Sequence, residues 1–373
     1  MPEPDSLTCL TQSVCVKHID CRTALGGTNS TLEALLKGQS GLRMEPMHGK
    51  DGGDPVPLAL RGEMAKSVIP RWWEDLQAFL KPYAGNDWGS KRRPVMVSSS
   101  NYGIDGLYAL GRTREAKYSN WATSHDCVKK ILAHQGWGDN VQIFSHACVS
   151  AQLGLYQAAQ FLNSDLADEV LLLSFDYVGP FVAAGFSSLK ILNEWMPAPY
   201  KEQETGSIGL GDGIACAVLS KEGNGPKITA QALFNEMYHF TSNIPDGSGF
   251  KKALSAMAPH LELGSFWIKG HGTGTLDPGR MEAESLHQLF PKHPLVSWKG
   301  GLGHTLGSCA LVELAIALAA MEKGMVPGTV GSSGKCYSPE VQTRPFAVNK
   351  LNGILLLSNA FGGAHGAMAV QYA

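Results

Sequence analysis

Residues 141–162 read VQIFSHACVSAQLGLYQAAQFL. The opening VQIFSHA is β-rich and ends in small and polar residues. The remainder sets Val149, Leu153, Tyr156 and Ala159 or Gln160 at steps of three and four, the spacing of a helix with one buried face. A strand handing over directly to a helix is the unit of an α/β sheet, and in such sheets ligand sites gather at strand ends. Cys148 stands at the handover. The positive end of the helix dipole and the unpaired N–H groups of a first turn would favour its thiolate. Position alone does not decide the matter, because free cysteines are among the most often buried residues.

Working outward, similar β-rich runs occur at 94–100 (PVMVSSS), 169–176 (EVLLLSFD), 214–220 (IACAVLS), 265–272 (SFWIKGHG) and 353–360 (GILLLSNA). They alternate with helical patterns, which reads as α/β. The helix after residue 304 is apolar nearly all round from Leu311 to Met321, with Glu313 the exception, and so belongs in a deep layer. At 373 residues the chain exceeds the usual single core, and the break KEGNGP at 221–226 divides it into expected halves 1–222 and 223–373.

A net charge of −2, with KRR at 91–93 as the one short basic run, argues against a nucleic-acid partner. No basic start with an apolar block opens the sequence and no uncharged stretch is long enough to span a bilayer. Membrane insertion is therefore not expected and a cytoplasmic location is. The eight cysteines form no C-x-x-C pair, so neither a zinc knuckle nor a disulfide framework is expected, and the histidines show no paired ligand spacing that would hold a metal.

Two further stretches bear on Cys148. In HGTGT at 271–275 a histidine closes a β-rich run, glycines permit close backbone approach, and Thr273 and Thr275 offer hydroxyls to a ligand threading past. In KGGLGH at 299–304, Lys299 and His304 flank glycines at another strand-to-helix junction. Alone, a His-Gly turn is structural about as often as functional, and a lone histidine at 304 would more often be a satisfied core residue. Their joint occurrence with Cys148 changes the odds.

HACVSA (146–151), HGTGT with Glu282 downstream, KGGLGH and NAFGGAHG (359–366) stand in the order and rough spacing of the elongating β-ketoacyl synthases, which this sequence resembles over almost its whole length. LEALLKGQSGLR (32–43), GLGDGIACAVLSK (209–221), HFTSN (239–243) and LGSCA (306–310) add to the resemblance. It implies a thiolase-like five-layered αβαβα fold of two pseudo-duplicated halves, with a homodimer or a heterodimer with a related subunit as the working unit. It implies Cys148 as acyl-carrying nucleophile, and His271 and His304 as catalytic histidines. Lys299 would pair with Glu282 in support, and Phe361 with Gly362 and Gly363 would form the glycine loop whose backbone holds an oxyanion. Thr273 and Thr275 would bind the pantetheine arm, with His239 and Thr241 bordering its tunnel. No cofactor is implied beyond the phosphopantetheine of an acyl carrier protein, the expected partner.

Two competing readings use the same residues: a non-catalytic subunit resembling a chain-length factor, and a cysteine hydrolase. Retention of both histidines with Cys148 speaks against each. The sequence also departs from the family. Gly279 stands where an aspartate is usual, with Asp277 as a possible substitute, and 101–140 is abbreviated. These departures point toward a specialised enzyme, such as one of a type II polyketide or polyene system, rather than a housekeeping one.

Overall fold

The computed structural model describes residues 7–11, 13–49, 52–64, 69–239, 243–261, 265–348 and 350–372. Ten strands of its large sheet carry the architecture. In the first half these are β1 (Val14–Thr23), β2 (Val95–Ser98), β3 (Val141–Phe144), β4 (Glu169–Asp176) and β5 (Gly213–Ser220), in the order β3-β2-β4-β5-β1. In the second half β6 (Lys227–Asn235), β7 (Phe266–Lys269), β8 (Leu295–Val296), β9 (Gly353–Ala360) and β10 (Ala364–Gln371) run β8-β7-β9-β10-β6. Strand directions repeat as well. β2 is parallel to β3 and β4, as β7 is to β8 and β9, and β5 and β10 run antiparallel to both of their neighbours. The halves meet where β6 pairs with β1 through Lys227↔Cys15 and Ile228↔Val14. Segment 221–226 lies between β5 and β6.

The helices that matter are α1 (Ile69–Leu80), α2 (Ile104–Thr113), α3 (Ser124–Gln135), α4 (Ser150–Asn163), α5 (Pro180–Ser188), α6 (Ser248–Met257), α7 (Leu276–Leu289) and α8 (Cys309–Lys323). Side-chain alternation along the strands sorts them into layers. Val170 and Leu172 of β4 point inward to the core shared with α4 and α8, whereas Leu171 and Leu173 point outward to Trp72 and Leu76 of α1 and to Val128 and Ile131 of α3. In the second half Ile354 and Leu356 join the central core, and Leu355 and Leu357 face Phe250 and Leu254 of α6 and Ala283 and Leu286 of α7. The result is five layers, α, β, α, β, α, with α4 and α8 in the middle. α8 is buried on every side over most of its length, as its composition requires. It begins at Cys309, after a 3-10 turn at Leu306–Ser308.

Candidate active site

The two middle-layer helices each follow the third strand of a half, so the β3-to-α4 and β8-to-α8 connections are equivalent by pseudo-symmetry and open toward one another. Cys148 lies on the first and His304 on the second. Cys148 follows a sharp elbow at Ala147, whose φ is +45°. Ser150 Oγ pins that elbow, accepting the His146 N–H at 2.8 Å and donating to the Ala147 carbonyl at 2.6 Å. Cys148 is 7% exposed and opens into a cavity of about 680 Å³, within the range of small-molecule sites. His271, Thr273, Thr275, His304, Asn359 and Phe361 share its walls.

The expected thiolate does not hold. Burial pushes the Cys148 thiol well above its ordinary value and the neighbouring Cys309 adds to this, while Lys299 opposes it. Cys148 precedes the first turn of α4 and is enclosed, so loss of solvation outweighs the helix field.

His271 continues directly from β7. Its backbone N–H and that of Gly272 donate to the two oxygens of Glu282 on α7, at 2.6 and 2.8 Å. Gly272 is required there: its φ is +23°, and a Cβ would lie 2.5 Å from Tyr200 Cζ. Beyond it the Thr273 and Thr275 hydroxyls bond to each other at 2.8 Å.

The rings of His271 and His304 meet edge to face, 5.0 Å between centroids. His304 Nδ1 accepts the Leu306 N–H at 3.2 Å, so in the neutral ring the proton sits on Nε2, which is buried without a partner. His271 Nδ1 is also buried and unpartnered. Burial, followed by the charges of Lys299 and Lys269, holds both imidazoles well below their ordinary value and hence neutral. The cavity thus presents two neutral rings with unmet hydrogen-bonding capacity beside a thiol.

The expected Lys299–Glu282 pair is not formed. Lys299 Nζ donates to Glu313 Oε1 at 2.7 Å, with Lys299 and Glu313 both buried. Glu282 is occupied by the 271–272 backbone instead. Lys299 lies on a short helical turn (Lys299–Leu302) beside α8, which carries Glu313 into reach from the middle layer.

The C-terminal loop closes the site from the turn between β9 and β10. Gly362 and Gly363, at φ of +84° and +72°, form the turn, and Ala360 and Ala364 pack with Cys148 and Val149. Phe361 is partly exposed and rests against Phe186 of α5, 5.9 Å between ring centroids. His365 does not line the cavity. It is buried behind, bonded to Asn359 Oδ1 at 2.8 Å and to Glu236 Oε2 at 3.1 Å, and so holds the lining residue Asn359. His146 is not on the wall either. His239 is exposed and Thr241 lies outside the described residues. Asp277 lines the mouth in company with Lys190, Arg280 and Glu284, and Gly279 faces open space in the first turn of α7.

Sequence reasoning missed Asn359 and Lys190 as lining residues and Lys269 as a partner of Glu313. Asn359 lay within the quoted NAFGGAHG, where its position at a strand end was a usable signal. Nothing local marked the other two.

Comparison with known proteins agrees with this geometry. The profile of the beta-ketoacyl synthase C-terminal domain matches residues 228–333, the segment holding HGTGT and KGGLGH. Over that segment the chain is similar to the C-terminal domain of β-ketoacyl synthases. It is 26% identical over 258 residues to 3-oxoacyl-(acyl-carrier-protein) synthase 2 of Vibrio cholerae, covering 62% of each. It is also 26% identical over 263 residues to the tetracenomycin polyketide synthase ketoacyl synthase alpha subunit of Streptomyces glaucescens, covering 63% of this chain and 61% of that one. The match thus spans about three-fifths of these relatives' length. Among solved structures, the ketosynthase ApeO in complex with its chain length factor ApeC, from Xenorhabdus doucetiae, superposes with a TM-score of 0.79 at 18% identity, covering 97% of this chain and 98% of that one. A beta-ketoacyl synthase from Burkholderia phymatum gives 0.80 at 16%, covering 97% and 100%. These establish the five-layered thiolase-type fold.

Proposed function

We propose that this protein condenses an acyl thioester with a malonyl thioester, releasing CO₂ and lengthening the chain by two carbons as a β-ketoacyl product. The observation that carries the reading is the convergence of Cys148, His271 and His304 on one cavity, with both imidazoles neutral and incompletely partnered.

In the first step the Cys148 sulfur attacks the acyl thioester, the bond to the carrier sulfur breaks, and the thiol proton ends on the departing carrier thiol. A buried, protonated cysteine needs a relay for that proton, and the neutral rings on the same wall are placed to provide one. Malonyl thioester then loses CO₂, and the enolate oxygen takes hydrogen bonds from His271 and His304. Donors already fixed before charge develops are the main electrostatic device of such sites. The enolate carbon attacks the Cys148 thioester, forming a carbon–carbon bond and releasing the Cys148 thiolate for reprotonation. The backbone N–H groups of Cys148 and Phe361 would hold the oxyanion of this step, the turn at Gly362 and Gly363 placing the second. Thr273 and Thr275 would bind the pantetheine arm of an acyl carrier protein at the cavity mouth.

Residues 1–222 then form the half that carries the nucleophile, and 223–373 the half that carries the histidines. The half-exposed edge strand β3, which directly precedes Cys148, is the natural surface for pairing with a second copy or a related subunit. Among the described residues no helix is long and apolar enough to cross a membrane.

Intact-mass analysis of the protein and its Cys148→Ala variant, after incubation with acyl-carrier thioesters of several lengths and then malonyl-carrier, tests the reading. An acyl adduct on the unaltered protein alone, discharged as a two-carbon-longer product, is expected. Failure with every acyl length by a folded protein would favour a non-catalytic subunit.

A further inference from the structure

We propose that Lys269 is a second cation of this site, a positioning residue that shares Glu313 with Lys299 and adds a positive charge beside the two histidines. The proposal rests on the condensing reading above. Lys269 ends β7, two residues before His271, and is fully buried. Its Nζ donates to the Gly270 carbonyl at 2.7 Å and lies 2.9 Å from Glu313 Oε2, off the axis of a hydrogen bond. It also lies 5.6 Å from the centre of the Trp298 ring.

The charged and titratable groups around it are Glu313 and Cys309 from α8, Lys299 from the helical turn, Glu282 from α7, and the two histidines. Glu313 alone would balance Lys299, and an apolar residue at 269 would leave that pair intact. A second buried ammonium on the same carboxylate is therefore costly for folding. Its effect falls on the site. It disfavours imidazolium at His271 and His304, the two groups that would hold the enolate oxygen during decarboxylation. Burial first, with Lys299 adding and Glu313 opposing, pushes the Lys269 ammonium down to about 8. The Lys269 charge is present at neutral pH and is lost above that value.

The test follows CO₂ release from malonyl-CoA by the full chain, Lys269→Met and Lys269→Arg, between about pH 6 and 9.5, together with NMR titration of the histidine rings. Resonances are assigned by their loss in His271→Ala and His304→Ala. In the unaltered protein the rate should decline on the alkaline side with a midpoint near 8. Lys269→Met should lose that decline, run about tenfold slower at neutral pH, and let both rings titrate at higher pH. Lys269→Arg should keep the neutral-pH rate and move the decline upward. An unchanged alkaline limb and unchanged ring titration in a folded Lys269→Met would overturn the proposal. If even the unaltered protein releases no CO₂, the condensing reading fails, and the ring titration still judges Lys269.

Discussion

The two halves repeat one strand order but furnish their strand ends differently. In the first half, Asp176 at the end of β4 is buried among neutral donors: Ser99 Oγ at 2.7 Å, with the Ser100 and Asn101 backbone N–H groups and the Ser100 hydroxyl at 3.1–3.2 Å. In the second, Glu313 is buried between two lysines. At these two positions one fold thus hosts a carboxylate held by dipoles and a carboxylate held by two lysines, although the first half also has a charged pair of its own where Arg71 meets the buried Asp212. Hydroxyls and amides order a loop without adding a net charge, whereas a lysine cluster also projects a field across the site.

The largest break in that contrast is Glu313→Ala, which strands two ammonium groups in the middle layer. Urea unfolding at neutral pH should show a loss of about 3–5 kcal/mol. A loss below about 1 kcal/mol would mean that the lysines find other partners or shed their protons.

The second prediction uses pH to separate the two kinds of carboxylate. Burial raises the Asp176 carboxyl from 3.8 to about 6, its hydrogen bonds opposing. The folded protein therefore binds the proton more tightly than the unfolded chain, and stability falls as pH rises from about 3.8 to 6. Relative to Asp176→Asn, which does not titrate, the unaltered protein should lose roughly 3 kcal/mol of stability across that window. A stability difference that stays constant between pH 4 and 7 would contradict the shift.

The smallest effect is expected at Glu282, where the carboxylate holds backbone. Glu282→Gln keeps one acceptor for the 271–272 amides and loses the other along with the charge, costing about 1.5–3 kcal/mol. Thermal unfolding should register this, and in malonyl-CoA decarboxylation the rate constant should fall as the His271 loop loosens. Full activity in Glu282→Gln would show that the loop is ordered by its glycines and Tyr200 alone.

The parallel strands were readable because they are short, apolar and end in Ser, Asn, Asp or His, as in EVLLLSFD and GILLLSNA. The antiparallel β1, β6 and β10 were not. VCVKHIDCRT carries charges on one face, and AHGAMAVQ is built of small residues of weak strand preference whose place is set by their neighbours. Cys148 and the two histidines were singled out by their joint occurrence at strand ends within an ordered set of motifs, since no one of these positions was decisive alone.

By itself, the sequence determined the family resemblance, the α/β order and the residues that converge on the cavity, since these follow from local pattern and spacing. The tertiary structure alone decided which acid meets Lys299, because Glu282 before it and Glu313 after it are both acids on helices and only packing of α8 into the middle layer selects between them. It also decided the protonation of Cys148. A helix dipole can be inferred from the chain, but the loss of solvation that outweighs it exists only once both halves close over the thiol.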